Sequence, residues 1–207
     1  GEEQLVKTAG QLLEAGETAI RDTLAGMLQA EDLILDKDAI YLPPFYHAEC
    51  GTSRRLRDLA QSTGRSLFDG LFDPSSLTAE TGIEYDEVQL AAIRQAVTSK
   101  VMVLTGGPGT GKTTTTQGII AALKKAGLRV LLAAPTGRAA KRMSEATGME
   151  AKTIHRLLEY NPQDGYKRND ENPLEGDALI VDECSMIDIL LMNNLPVSYT
   201  HLRAHET

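Results

Sequence analysis

Residues 101–116 read VMVLTGGPGTGKTTTT, and they carry the most specific pattern in the sequence. Its apolar run Val101–Leu104 is typical of a buried parallel strand. The run leads into Gly106–Thr113, a full match to the pattern GxxxxGK[ST]. Glycines let a backbone curl until several N–H groups point inward at one phosphate. Strand, loop and following helix together predict an α/β fold with a nucleotide phosphate at the start of that helix.

The residue types in the loop indicate how it would hold ATP. Lys112 would set a positive charge against the β- and γ-phosphates, and the Thr113 hydroxyl would ligate Mg²⁺. A helix predicted over 112–126 would direct its positive N-terminal end at the same anion. A glycine-rich turn without a nucleotide is the alternative. The residues predicted to contact ATP in this stretch are Gly107, Gly109, Thr110, Gly111, Lys112, Thr113 and Thr114.

A pair of acids follows a later apolar run, Leu179–Val181, which predicts another strand. Asp182 comes 70 residues after Lys112 and is predicted to hold Mg²⁺ opposite Thr113. Glu183 is predicted to polarise the attacking water. An Asp-Glu pair alone is common, so the prediction depends on the preceding strand and the upstream loop. Lys112, Asp182 and Glu183 are therefore the predicted catalytic residues, with ATP and Mg²⁺ as cofactors.

Between these two elements lies a strand predicted over Arg129–Ala134, after Gly127 as a helix C-cap. Thr136 is positioned to cap the next helix. That helix carries three cations within five positions, and ligands in open α/β sheets bind beyond the carboxyl ends of the strands. Contact with a phosphate backbone and a merely solvated helix are equally supported here. The three cations are Arg138, Lys141 and Arg142.

The first part of the chain predicts a small, mainly helical module over residues 1–61. Two runs with apolar residues at helical spacing are separated by Gly16. Two short strands over 33–35 and 40–42 flank a turn. Helix, helix and hairpin in this order are the outline of a winged helix, a shape that often binds DNA. Packing or docking without DNA contact is the alternative.

The module is predicted to end in one more helix. Pro43 and Pro44 end the hairpin, because proline cannot donate to a ladder. A helix over 46–61 follows, and its arginines 54, 55 and 57 form either a solvated face or a nucleic-acid contact. Residues 62–82, rich in Ser, Thr, Gly, Asp and Pro, predict a linker.

The charge is unevenly distributed along the chain, whose net charge is −8. Residues 1–80 carry seven Lys and Arg against 14 Asp and Glu, whereas residues 81–195 carry 13 against 14. A globally basic nucleic-acid binder is excluded, but a local basic patch in the second half is not. Cys50 and Cys184 lie far apart, so neither a disulfide framework nor a zinc site is indicated. We expect a cytoplasmic protein without a membrane partner.

Four motifs in succession resemble those of superfamily 1 DNA helicases, most closely the RecD-like branch. The resemblance implies a RecA-like core over 83–195, incomplete, with a parallel sheet and helices on both of its faces. The segment IYLPPFYHAE at 40–49 is also similar to what precedes the motor in that family. The motifs are TGGPGTGKTTTT at 105–116, AAPTGRAAKRM at 133–143, TIHRLL at 153–158 and LIVDECSM at 179–186.

The resemblance also implies roles for individual residues. Gln89, in the segment YDEVQ, would hydrogen-bond the adenine base. The second and third motifs contact single-stranded DNA in the family, and His155 otherwise reads as a packing or helix-cap residue. The polar residues 161–177 form either a solvated loop or hairpin or a further DNA contact. The implied DNA-contacting residues are Thr136, Arg138, Thr153 and His155.

A helicase of this type couples ATP hydrolysis to 5′-to-3′ translocation and duplex unwinding in DNA recombination and repair. It needs a second core, whose arginine is worth about 10³–10⁵ in rate. Only 12 residues follow Leu195, and residues 196–207 continue no family motif, so we expect a non-native, disordered tail. The chain alone, expected to be monomeric, should then be nearly inactive, and residues 1–61 could bind a protein partner.

Two other classes of function remain open. One is an ATP-dependent switch or loader with the same phosphate-binding loop but no translocation. The other is a non-enzymatic module that binds DNA or a protein through residues 1–60. A kinase is disfavoured because the chain offers no evident lid over a phosphate acceptor.

Overall fold

A computed structural model describes residues 1–62, 73–107 and 109–199 of the chain. It confirms the α/β class, with a parallel sheet in the second half. The strands are β1 (Ile34–Asp36), β2 (Ala39–Tyr41), β3 (Val130–Ala134), β4 (Ala151–Thr153), β5 (Tyr160–Asn161), β6 (Gly165–Tyr166) and β7 (Ala178–Val181). The helices are α1 (Glu2–Leu13), α2 (Glu17–Gln29), α3 (Pro43–Gln61), α4 (Pro74–Thr81), α5 (Glu87–Thr98), α6 (Lys112–Lys125), α7 (Gly137–Thr147), α8 (Ile154–Leu157) and α9 (Ile189–Tyr199).

The parallel sheet has three strands in the order β4-β3-β7. The predicted strands over 129–134 and 179–181 are confirmed as β3 and β7. In the register, Ala134 pairs with Thr153 of β4, and Ala133 pairs with Val181 of β7. All three strands therefore end at the same edge of the sheet, and the chain leaves each of them there.

Helix α6 packs against this sheet and brings the glycine-rich loop to the same edge. Its residues Ile119, Ile120 and Leu123 share one buried cluster with Val130 and Leu132 of β3. The helix ends as predicted: Gly127 has φ +77°, and the Leu128 N–H donates to the Leu123 carbonyl at 3.1 Å. Because this short turn leads directly into β3, α6 runs antiparallel to the strand. Its N-terminus therefore faces the carboxyl edge.

The strand predicted over 101–104 is wrong. These residues adopt no regular secondary structure, and Val103 is 81% exposed although Leu104 packs on the main core. An apolar run reports burial, but a strand also needs a neighbouring backbone edge to hydrogen-bond with. In the described part of the chain the three parallel strands pair with one another and leave this segment without such a partner.

The linker predicted over 62–82 contains a packed helix, α4. The Asp73 carboxylate accepts from the N–H groups of Ser75 and Ser76 at 3.0 and 3.2 Å, and Gly82 ends the helix with φ +68°. Leu77 is only 2% exposed and joins the main core. The second part of this segment therefore belongs to the core, while residues 63–72 lie outside the described residues.

The N-terminal elements follow the predicted order of helix, helix, hairpin and helix. The hairpin is confirmed, with Leu35 paired to Ile40. Helix α3 starts earlier than predicted, at Pro43, because proline is well suited to the first turn of a helix. In the described residues no helix is both long and apolar enough to cross a membrane.

Helix α3 packs along α9 and so joins the N-terminal elements to the end of the core. The Arg55 guanidinium donates to the Asn193 side-chain oxygen at 2.7 Å. A Cβ on Gly51 would lie 2.6 Å from that oxygen, so the two helices approach closely. Helix α9 continues past residue 195, where the sequence predicts the core to end, and residues 200–207 lie outside the described residues.

Candidate nucleotide and nucleic-acid site

The glycine-rich loop is closed by its own side chains. The Lys112 ammonium donates to the carbonyls of Gly106 and Gly107, the second at 3.0 Å. The Thr110 hydroxyl donates to the same Gly107 carbonyl at 2.8 Å. A phosphate must therefore compete with two carbonyl groups for Lys112. The predicted contact of Lys112 with the β- and γ-phosphates stays a prediction.

Two glycines of the loop adopt backbone conformations that other residues take only with strain. Gly109 and Gly111 have φ of +75° and +74°. Gly111 is also the N-cap of α6, so the exposed N–H groups of the first helical turn follow directly after it. Among the predicted ATP contacts, the exposed ones are Gly107, Gly109, Thr110, Lys112 and Thr113, whereas Gly111 and Thr114 are half-buried.

The threonines at the start of α6 differ in what their hydroxyls do. Those of Thr115 and Thr116 donate back to carbonyls one turn earlier, at 3.0 and 2.9 Å. The Thr113 hydroxyl is exposed and makes no hydrogen bond within the described residues. It is therefore available to a metal ion, and its role as a Mg²⁺ ligand stays a prediction.

Gln89 lies at the base of this loop. The Gln89 side-chain oxygen accepts from the Asp86 N–H at 3.1 Å, and the Asp86 carboxylate accepts from the Gln89 N–H at 2.8 Å. This capping box at the start of α5 fixes the direction of the glutamine. Its nitrogen points at Gly111, so the predicted adenine reader and the phosphate-binding loop are brought together.

The acid pair follows β7. The Asp182 N–H donates to the Ala133 carbonyl at 3.0 Å, which extends the strand pairing by one residue. The Asp182 carboxylate accepts from the Glu183 N–H at 2.8 Å. Glu183 has φ +56°, a conformation that is strained for a residue with a side chain, and such strain clusters at functional sites. Its carboxylate forms an ion pair with Arg142 of α7.

The loop and the acid pair share an edge of the sheet, but no hydrogen bond or ion pair joins them within the described residues. In the same ranges, no three His, Cys, Asp or Glu side chains group as metal ligands. A Mg²⁺ ion between Thr113 and Asp182 would therefore take its other ligands from water and phosphate oxygens, which suits this metal. The donor set fits Mg-ATP in its chemistry: backbone N–H groups, an ammonium, a free hydroxyl and a carboxylate.

The predicted DNA contacts lie where β3 and β4 end. Thr136 caps α7 by accepting from the Ala139 N–H, and Thr153 caps α8 by accepting from the Arg156 N–H, both at 3.2 Å. Arg138 is exposed on α7. Each threonine hydroxyl keeps its own hydrogen for a further acceptor, so both can still donate to a phosphate oxygen.

His155 contacts two tyrosines that the sequence does not single out together. Its ring centroid lies 5.5 Å from that of Tyr160 and 6.2 Å from that of Tyr166, and the tyrosines are 4.8 Å apart. The tyrosines belong to the paired strands β5 and β6, so the polar segment after residue 160 begins as a hairpin. The cluster is open to solvent at Tyr160, which is 46% exposed.

The residue that sequence reasoning missed is Arg142 as the partner of Glu183. The two residues are 41 positions apart, and no spacing rule connects them. Cys184, next to the acids, forms no disulfide within the described residues. Burial raises the pKa of its thiol, and the Asp182 carboxylate raises that pKa further.

Comparison with known proteins gives the family. Residues 89–203, more than half of the chain, match the family described as AAA domain. The chain belongs to the AAA domain family. This AAA domain match begins at Gln89 and contains the glycine-rich loop, both threonine caps and the acid pair. It continues past residue 195, as α9 does.

Several relatives of this AAA domain chain are RecD proteins. The ATP-dependent RecD2 DNA helicase of Deinococcus radiodurans is 38% identical over 91% of this chain and 27% of its own length. The RecBCD enzyme subunit RecD of Mycolicibacterium smegmatis is 39% identical over 53% of this chain and 24% of its own. The RecBCD enzyme subunit RecD of Haemophilus influenzae is 37% identical over 54% of this chain and 21% of its own length. The RecD-like resemblance is confirmed, and the chain spans about a quarter of the length of these relatives.

Proposed function

We propose that this chain is the part of a RecD-like, ATP-dependent DNA helicase that binds Mg-ATP and contacts single-stranded DNA. One observation carries the proposal. The N-terminus of α6, the acid pair after β7 and the two threonine caps after β3 and β4 all face the same edge of the parallel sheet. Ligands of open α/β sheets bind at this edge.

For the nucleotide, each side chain has one task. Lys112 leaves the loop carbonyls for the β- and γ-phosphates, while Thr113 and Asp182 hold the metal ion. Gln89 hydrogen-bonds the base. Glu183 orients the water and accepts its proton. Mg-ATP supplies the phosphoryl group that is transferred to water.

For the nucleic acid, the four contacts are the two capping threonines, Arg138 and His155. Hydroxyls and a guanidinium suit phosphate oxygens, so these contacts would follow the backbone and would not read the sequence. His155 reaches the strand together with its tyrosine neighbours, whose rings can stack on bases.

In the whole helicase, closure of two RecA-like cores around ATP would drive 5′-to-3′ translocation and duplex unwinding in recombination and repair. The second core would supply an arginine for the transition state, a contribution of about 10³–10⁵ in rate. For this chain alone we expect weak nucleotide binding and little hydrolysis. The N-terminal elements would be available to a protein partner.

The test is Mg-dependent binding of a fluorescent ATP analogue, measured by anisotropy. Lys112→Ala should lower the affinity about ten-fold or more, because a charged hydrogen-bond donor to phosphate is lost. Lys124→Ala is the matched control, since Lys124 lies exposed in the last turn of the same helix. Equal affinity of Lys112→Ala and the unsubstituted chain would contradict the nucleotide site.

A second measurement separates the helicase from a switch or loader. ATP hydrolysis should rise when single-stranded DNA is added, although the rate in this chain will be low. A rate of ATP hydrolysis that does not change when single-stranded DNA is added would favour a switch or loader without translocation.

A further inference from the structure

The Arg142–Glu183 ion pair joins the helix proposed to contact DNA to the acid proposed to activate water. Arg142 Nη2 donates to Glu183 Oε1, although the two residues are 41 positions apart. The Arg142 side chain is 62% exposed and that of Glu183 32%. The arginine is therefore open to solvent on the side away from the carboxylate.

Helix α7 carries Arg142 on the same face as the proposed DNA contact. Ala139, Ala140 and Met143 are buried beneath the helix. Arg138 and Arg142 are one helical turn apart and both exposed, so they lie on the outer face together. The buried Met143 fixes the position of the adjacent Arg142 backbone. Arg142 can therefore change partners only by moving its side chain.

The geometry points to Arg142 as a positioning residue that is shared between Glu183 and a DNA phosphate. Without DNA its guanidinium holds the Glu183 carboxylate. When single-stranded DNA lies along α7, a phosphate takes over the guanidinium and the carboxylate is released to orient the attacking water. This coupling of DNA binding to hydrolysis rests on the proposed function.

The exchange is physically easy. An ion pair as exposed as this one contributes little to stability, so breaking it costs little. A phosphate offers the guanidinium a carboxylate-like, two-oxygen partner, and Arg suits either in the same fork geometry. The backbone of Glu183 is already held in a left-handed conformation, so release changes its side chain rather than the turn.

The test is binding of labelled oligothymidylate to the chain without nucleotide, measured by anisotropy at several salt concentrations. Glu183→Gln frees Arg142 and should raise the affinity about two- to five-fold. The dependence of log affinity on log salt should stay as it is in the unsubstituted chain, because the Arg142–phosphate contact forms in both complexes. Arg142→Ala should flatten this dependence by about 0.7, the value for one phosphate contact on a single strand, and Glu183→Gln should raise the affinity less when Arg142→Ala is present. Arg142→Lys in place of Arg142→Ala should recover part of the salt dependence and part of the gain in affinity from Glu183→Gln.

Lys141→Ala is the control, because Lys141 is an exposed neighbour paired with Glu145 rather than with Glu183. In that background Glu183→Gln should act as it does in the unsubstituted chain. If Glu183→Gln raises the affinity equally with and without Arg142, the shared-arginine inference is wrong although DNA binding stands. If the unsubstituted chain does not bind the oligonucleotide, the proposed DNA site and the inference fail together. Thermal unfolding of Arg142→Ala should match that of the unsubstituted chain, because an exposed ion pair contributes little to stability. This control is needed because a variant that loses its fold would change both the affinity and its salt dependence.

Discussion

The side-chain nitrogen of Gln89 lies 2.5 Å from the point that a β-carbon on Gly111 would occupy. Only a glycine leaves room for this approach, and the same glycine has φ +74°. The side-chain oxygen of Gln89 accepts from the Asp86 N–H in the capping box, which keeps the nitrogen of the same amide directed at Gly111. The start of α5 and the start of α6 are thus fitted to each other at the base of the glycine-rich loop.

Gly111→Ala should therefore destabilise the chain. A left-handed backbone costs a residue with a side chain about 1–3 kcal/mol, and the Gln89 nitrogen must also move. Urea unfolding measures the free energy of unfolding. Gly26→Ala is the control: Gly26 lies inside α2 with open space around it, and alanine there should stabilise by about 0.5–1 kcal/mol. Equal free energies for the two variants would contradict the fitted arrangement.

Arg138→Ala should weaken binding of single-stranded DNA and flatten its salt dependence by about 0.7, because one phosphate contact is lost. Arg57→Ala is matched to it, since Arg57 is exposed on α3 among the N-terminal elements. Titration of a labelled oligonucleotide at several salt concentrations gives both quantities. An effect of Arg57→Ala with none from Arg138→Ala would favour a DNA-binding module in residues 1–60.

Leu77→Ala should lower the free energy of unfolding by about 2–5 kcal/mol, because a leucine that is 2% exposed leaves a cavity in the main core. Leu12→Ala, at a side chain that is 77% exposed, should change it by less than about 0.5 kcal/mol. Chemical denaturation compares the two. Similar small effects would mean that residues 74–81 are a linker after all.

Gly118→Ala should show how tightly α5 and α6 pack. A Cβ there would lie 2.4 Å from the outer carbon of the Ile93 side chain and 2.9 Å from the Tyr85 ring, so we expect a cost of about 1–3 kcal/mol. Ile93→Val removes that outer carbon and alone costs about 0.5–1.5 kcal/mol. In the double variant the cost of Gly118→Ala should fall, as a thermodynamic cycle from denaturation curves would measure. Strict additivity would speak against the contact.

The sequence predicts those elements in which local pattern and tertiary packing agree. The glycine-rich loop, α6 and its end at Gly127 follow from positions that few residue types can fill. Strands β3 and β7 follow from apolar runs that pair in the sheet, where β3 is mostly buried and β7 is half-buried. The stretch 101–104 has a similar run, but the run does not report whether a neighbouring strand is present.

The remaining differences have separate causes. Strand β4 is too short and too polar to give an apolar signal. Helix α4 did carry its signals, namely Asp73 before a proline and Gly82 after the last turn, but it has few apolar positions. The Arg142–Glu183 pair depends on how α7 lies against the end of β7. Only the tertiary structure contains that information.

The contact of α3 with α9 has a consequence for synthesis. Arg55 leaves the ribosome 138 residues before Asn193, the residue whose side chain it binds. At synthesis rates of about 5–20 residues per second, roughly 7–28 s separate the two. For that time the α9-facing side of α3, with Gly51 at its closest point, is open on the nascent chain. During translation this surface is therefore accessible to a chaperone.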